Sequence, residues 1–201
     1  MIHPEYCQRI VTVNVRNEAK MVSCRSMSVV GYSAIILFWG VVSACNAAAV
    51  SEQQLIISKF PSYHILKNNE LDKETFQYYQ KNYDGSQAGI VKTDIDGNGV
   101  QDIAALLKAD GGSSTKFVIL LCDASSSCSV TFELDTSPHQ QIYITRVKAG
   151  TLISQTEAID TPVPSVKLVH DGIRLTYFEK AEMVFFRDDK LHKISSIQTA
   201  D

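Results

Sequence analysis

From residue 89 to the C-terminus the chain breaks into short segments rich in β-branched and aromatic side chains, each bounded by a cluster of Gly, Asp, Asn or Ser. This rhythm constrains the fold most, because alternation with a period of two is what a strand imposes on its two faces. The segments "DIAALLKA" (102–109) and "KFVILLCD" (116–123) are apolar on both faces, as strands with neighbours on either side are. In "SVTFELD" (129–135) the alternation is clean and predicts Val130, Phe132 and Leu134 inward. "QIYITRV", "SVKLVH", "GIRLTYFE", "AEMVFFRD" and "KLHKISSI" follow, the last four joined by turn residues at Asp171-Gly172, Glu179-Lys180 and Asp188-Asp189. Such short connections favour antiparallel meander pairing. Residues 149–165, with Pro162 and Pro164, are read as a long surface loop.

Before residue 89 the period is helical. Ser51 followed by Gln54 reads as a capping box, so "SEQQLIISKF" opens a short helix that Pro61 stops. In "NNELDKETFQYYQKN" (68–82), Asn69 is the expected cap with Asp72 at N3, and Leu71, Thr75, Tyr78 and Tyr79 share a face. Phe76, Tyr78, Tyr79 and Tyr83 are read as core, with a recognition surface as the alternative. The predicted class is α+β: two short N-terminal helices followed by a twisted antiparallel sheet of about eight strands, in one domain spanning 50–201.

Residues 1–49 read differently. The uncharged run "SVVGYSAIILFWGVVSA" (28–44), preceded by Lys20 and Arg25, has the layout of an export signal, and Met21 and Met27 stand where a shorter signal would begin. The run ends in Val42-Ser43-Ala44-Cys45, which resembles the bacterial lipobox and makes Cys45 the lipidation candidate. The rival exit is Ala47-Ala48-Ala49, which would release a soluble protein at Val50; an uncleaved anchor is the third reading, although the run is short against the ~20 residues a span needs. All three put the domain outside the cytosol, as a periplasmic or outer-membrane lipoprotein or a secreted protein. Past residue 49 Asp and Glu outnumber Lys and Arg by twenty to fifteen, with no basic run. That balance argues against nucleic acid and leaves membrane contact to an N-terminal lipid.

Cys122 and Cys128 are the two cysteines of the exported part, and "DASSS" between them is turn-forming. In an oxidising compartment an even pair is read as a disulfide, with two free thiols as the alternative; the spacing is not that of a redox-active C-x-x-C.

One stretch carries chemistry. In "TDIDGNGVQDIA" (93–104), taking Asp94 as position 1 puts Asp96 at 3, Asn98 at 5, the Val100 carbonyl at 7 and Asp102 at 9, with Gly99 at 6 where a calcium loop turns sharply. Hard oxygen donors select Ca²⁺ over transition metals. Two carboxylates 4 Å apart repel by about 4 kcal/mol at an effective dielectric of 20, and a divalent cation reverses that sign. A bare Asp-Gly-Asn-Gly turn without metal is the alternative. Position 12 is Ala105 instead of a bidentate Glu, so the loop is not an EF-hand.

Asp94, Asp96, Asn98, Gly99 and Asp102, followed by Ile103 and Ala104, resemble the D-x-D-x-N-G-x-x-D loop of integrin-type (FG-GAP) propeller blades, in which a calcium loop joins two strands. The resemblance spans about a dozen residues and implies a structural calcium. A single copy does not imply a propeller. More loosely, helices, calcium-type hairpin and closing meander resemble small exported bacterial proteins of unknown function, a likeness that implies no activity.

No G-x-S-x-G, H-E-x-x-H, Walker or dinucleotide-binding pattern occurs. His64, His139, His170 and His192 are scattered, and Glu133 with Asp135 or Asp188 with Asp189 read as solvated strand ends or turns. The favoured expectation is a cell-envelope binding or adaptor module, non-enzymatic, with one structural calcium and an envelope protein or glycan as partner. An envelope hydrolase and a purely structural component are the alternatives. The surfaces to consider are the 149–165 segment and the Tyr-rich helix.

Overall fold

Ser51 accepts the Gln54 N–H while Gln54 Oε1 accepts the Ser51 N–H, and helix α1 (Glu52–Lys59) starts there, as its sequence predicts. Ile56, on its inner side, is fully buried. Strand β1 (Tyr63–Ile65) and a 3₁₀ turn (Asn68–Glu70) follow, then helix α2 (Lys73–Asn82). The cap of α2 is Asp72, which accepts from Thr75 N at 2.8 Å, not Asn69. Asn69 sits inside the 3₁₀ turn, so the helix starts later than its sequence suggests. Thr75 and Tyr79 are buried, and Tyr79 packs on Tyr83 and Tyr143 at ring separations of 5.2 and 5.3 Å. Tyr78 remains half-exposed against Phe178.

Strands β2 (Ile90–Thr93), β3 (Asp102–Ala109), β4 (Thr115–Cys122) and β5 (Cys128–Thr136) form one antiparallel sheet, to which β1 adds beside the end of β3. A second antiparallel sheet has the order β11 (Lys193–Ala200), β10 (Ala181–Asp188), β9 (Gly172–Tyr177), β6 (Ile142–Val147). A hairpin of β7 (Leu152–Ser154) and β8 (Ser165–Lys167) completes the strands. The computed structural model describes residues 51–83, 86–137, 139–155 and 165–200, all within one compact unit. Residues 1–49, read as a leader with Cys45, together with Pro162, Pro164 and the side chain of His139, lie outside the described residues.

The single sheet of about eight strands is therefore corrected to eleven described strands in three sheets, mostly antiparallel β with the two helices N-terminal. Three apolar layers explain why. Leu106, Phe117, Ile119, Ile144, Leu175 and Phe185 fill the space between the two large sheets, with the Phe185 ring tilted against those of Phe117 and Phe132 at 4.9 and 5.0 Å. On the outer face of the first sheet, Ile103, Leu107, Val118 and Leu120 pack under Ile56 of α1. On the outer face of the second, Val184 and Phe186 are covered by Ile153 and Leu168 of the β7–β8 hairpin. Central strands apolar on both faces are thus matched by cover on both faces.

Two details depart from simple alternation. A bulge at Thr131 shifts the β4–β5 register, since Ile119 faces Phe132 but Leu120 faces Val130. Val130 then packs on the α1 side while Phe132 and Leu134 enter the inter-sheet core. Part of the segment read as a surface loop forms β7, because Ile153 has an apolar face to cover.

Candidate metal centre

The β2–β3 connection, residues 94–101, lies at the end of the sandwich where β4 meets β5 and β8 meets β9. Gly97 and Gly99 take φ of +76° and +81°, and these left-handed steps curl the chain so that alternate side chains converge. Oxygens of Asp94, Asp96 and Asp102 all lie within 4.8 Å of one another. At Ca–O distances of 2.3–2.6 Å two ligands of one ion sit at most about 5 Å apart, so this spacing suits a single calcium. The donor set is entirely hard oxygen, which fits the same ion.

Each carboxylate is already oriented by the backbone. Asp94 accepts from Gly97 N at 2.7 Å and Gly99 N at 2.9 Å. Asp96 accepts from Asn98 N at 3.2 Å. Asp102, the first residue of β3, is fully buried and accepts from Ile95 N at 2.7 Å and Cys122 N at 2.8 Å. Burial pushes the Asp102 carboxyl above its ordinary value; the Cys122 and Ile95 amides oppose that rise, and the charge of Asp96 adds to it. Among the described residues no Lys, Arg or His forms an ion pair with Asp94, Asp96 or Asp102.

Asn98 and Val100 are placed in the loop, but Asn98 points elsewhere than to the carboxylates alone. Its Nδ2 donates to the Cys122 carbonyl at 2.8 Å, and its Oδ1 accepts from Val100 N at 2.7 Å. Val100 packs its side chain against the α1-side core. Cys122 and Cys128 are joined as a disulfide that closes the final rung of β4–β5. A polar pocket of about 240 Å³ lies between loop and disulfide turn, lined by Asp96, Asn98, Asp123, Ser127 and Ser129 among others.

Spacing in the sequence gives no sign of the groups that brace the loop from the second sheet. Thr93 Oγ1 donates to Asp171, 78 residues away, and Asp171 also accepts Ala149 N at 2.9 Å and pairs with Arg146 at 2.6 Å. Burial raises the Asp171 carboxyl, but Thr93, the Ala149 amide and Arg146 outweigh it and hold it below its ordinary value. The His170 imidazole lies over Gly97, so close that a Cβ there would sit 2.2 Å from Cε1, and its far nitrogen is 3.4 Å from Asp189. The one local hint was Gly97 itself, a residue without a side chain where a neighbour approaches.

The other carboxylate pairs resolve as structure. Glu133 and Asp135 flank Lys116 at 2.8 and 3.7 Å, and Asp188 caps the β10–β11 turn by accepting from Lys190 N and Leu191 N. His64 sits between Asp110 at 2.7 Å and Glu70 at 3.1 Å. A larger cleft of about 380 Å³ runs between β2 and β6 beside Tyr79 and Tyr83, but its Lys92 and Arg146 are paired with Glu52 and Asp171. No described helix is long and apolar enough to cross a membrane. Comparison with protein-family models, curated proteins and solved structures returns no match.

Proposed function

We propose that the chain is an exported cell-envelope module, held by a lipid on Cys45, that binds a partner through a sandwich end stapled by one structural Ca²⁺. Asp94, Asp96, Asp102 and the Val100 carbonyl are the ligands, with Asn98 as a loop brace. The carrying observation is Asp102: a fully buried carboxylate beside two others, with no cationic side chain among the described residues paired to any of them. Gathering such groups is unfavourable unless a cation shares the site.

The binding reading draws on the surface at the same end. Leu152 at the start of β7, and Val169 and Leu191 in connections, project with 65%, 70% and 58% of their area exposed respectively, and solvent-facing aliphatic side chains of this kind suit contact with an envelope protein or glycan. Calorimetric titration of the metal-free chain with Ca²⁺ tests the ion: one site with a Kd on the order of 10⁻⁴ to 10⁻³ M is expected, as in extracellular modules. No heat with calcium, or a preference for Zn²⁺, would remove it. The mass of the mature N-terminus tests the tether: a lipidated Cys45 is expected, and a free Val50 would replace it by soluble export.

A further inference from the structure

Cys122 is gripped from both sides by the Asp loop. Its N–H goes to Asp102 Oδ1 and its C=O takes Asn98 Nδ2, each at 2.8 Å, so both main-chain polar groups of one half-cystine are bound by side chains of the β2–β3 connection and of the β3 residue that ends it. Asp102 in turn orders the start of the loop through Ile95 N. The disulfide holds Cys122 to Cys128 at the last rung of β4–β5, and beyond it the exposed turn 123–127 closes the hairpin, with the Asp123 N–H donating to the Ser127 carbonyl at 2.9 Å and Ser126 at φ +62°.

We propose that the Cys122–Cys128 disulfide and the 94–102 loop form one redox-responsive unit, in which cleaving the bond loosens the loop and weakens its hold on a cation. The disulfide holds that rung covalently where otherwise only the hydrogen bonds of the ladder and the turn do; without it, Cys122 gains freedom, and Asp102 and Asn98 lose a fixed partner together. The asymmetry of the pair sets the chemistry. Cys122 is buried while Cys128 is partly exposed, so an external thiolate attacks the Cys128 sulfur and Cys122 leaves as thiolate. A second external thiolate then attacks the mixed disulfide. In all, two electrons and two protons pass from a dithiol reductant, which becomes a disulfide, to give two cysteine thiols. Linkage makes the effect reciprocal: whatever factor the disulfide adds to cation affinity, the cation adds to resistance against reduction.

The cation half of this proposal rests on the calcium reading above, but the loop half does not. The test compares the oxidised full chain, the same chain after dithiol reduction, and Cys122→Ser/Cys128→Ser. Two readouts are taken: amide hydrogen exchange at Ile95 and Gly97 without metal, and calorimetric Ca²⁺ affinity. Both reduced-type forms should exchange these amides on the order of tenfold faster and bind Ca²⁺ about tenfold more weakly, with Ile144 N–H unchanged as a remote control. Unchanged exchange at Ile95 and Gly97 in a chain whose thiols titrate as reduced overturns the proposal, whether or not calcium binds. Faster exchange with no calcium heat in any form leaves the redox unit standing and removes the calcium reading alone.

Discussion

Asp102 receives the backbone N–H of Cys122 at 2.8 Å, which ties the first residue of β3 to the last residue of β4 through a buried side chain. The same carboxylate receives Ile95 N at 2.7 Å, so one residue closes the loop on itself and on the neighbouring strand. Asp102→Ala strands two buried donors at once. At about 1–3 kcal/mol for each unsatisfied group, a loss of roughly 3 kcal/mol or more is expected in urea unfolding. Asp102→Asn keeps one acceptor and should cost less. A stability for Asp102→Ala within 0.5 kcal/mol of the parent, itself on the order of measurement error, would refute the closing role.

Gly97 and Gly99 share a left-handed backbone but not their surroundings. An added Cβ at Gly99 meets nothing, whereas at Gly97 it collides with the His170 ring. Gly99→Ala should cost about 1 kcal/mol from backbone strain, and Gly97→Ala about 2–4 kcal/mol from strain plus overlap. Replacing His170 by Ala in the Gly97→Ala background should bring the two glycine positions close together, and a double-mutant cycle reads that coupling. Equal costs at both glycines in the native background would show that His170 does not rest on the loop.

A different cluster, around His64, adds its own response to pH. The hydrogen bond that His64 donates to the Asp110 carboxylate raises the His64 pKa above 6.5; burial opposes this and Glu70 reinforces it. Burial pushes the Glu70 carboxyl up, but the Lys67 amide, Lys108 and His64 outweigh burial and bring it down to about 2. The signs follow from linkage. A raised histidine stabilises fully below its unfolded value of about 6.5 and loses that contribution as pH rises through the folded value. A depressed carboxylate stabilises above about 4.5 and loses it as pH falls toward 2. The cluster should therefore help most between about pH 4.5 and 6.5. His64→Gln should abolish the decline on the alkaline side of that window in pH-dependent melting; an unaltered decline would assign it to another group.

Local chemistry was the most legible part of the sequence. The capping box at Ser51 and Gln54 needs only residues three apart, and it forms as read. The carboxylates of the loop lie within nine positions, so their convergence at Asp94, Asp96 and Asp102 could be seen in the spacing. What failed depended on distant partners. Val130 changes side because of one extra residue, Thr131, opposite Ile119 and Leu120, a register choice that alternation within β5 cannot reveal. The α2 cap moved from Asn69 to Asp72, whose amide is drawn to the Gln140 carbonyl, a contact from far along the chain. Strand β7 exists because Ile153 covers Val184 and Phe186, and its own segment carries too few apolar residues to announce it. The Thr93–Asp171 contact spans 78 residues and ties β2 to the start of β9 in the second sheet, a relation that local periodicity cannot carry.

The melting temperature of the oxidised chain in EGTA against 1 mM Ca²⁺, with Asp96→Ala beside it, is the most direct trial of a cation at this loop. For a Kd of 10⁻⁴ to 10⁻³ M the gain is about 0.4 to 1.4 kcal/mol, roughly 1–5 °C for a domain of this size. Calcium should raise the parent by that amount, EGTA should reverse it, and Asp96→Ala should respond to neither. Superimposable parent curves in EGTA and in calcium at tenfold higher concentration would mean that the three carboxylates are held by their backbone hydrogen bonds alone.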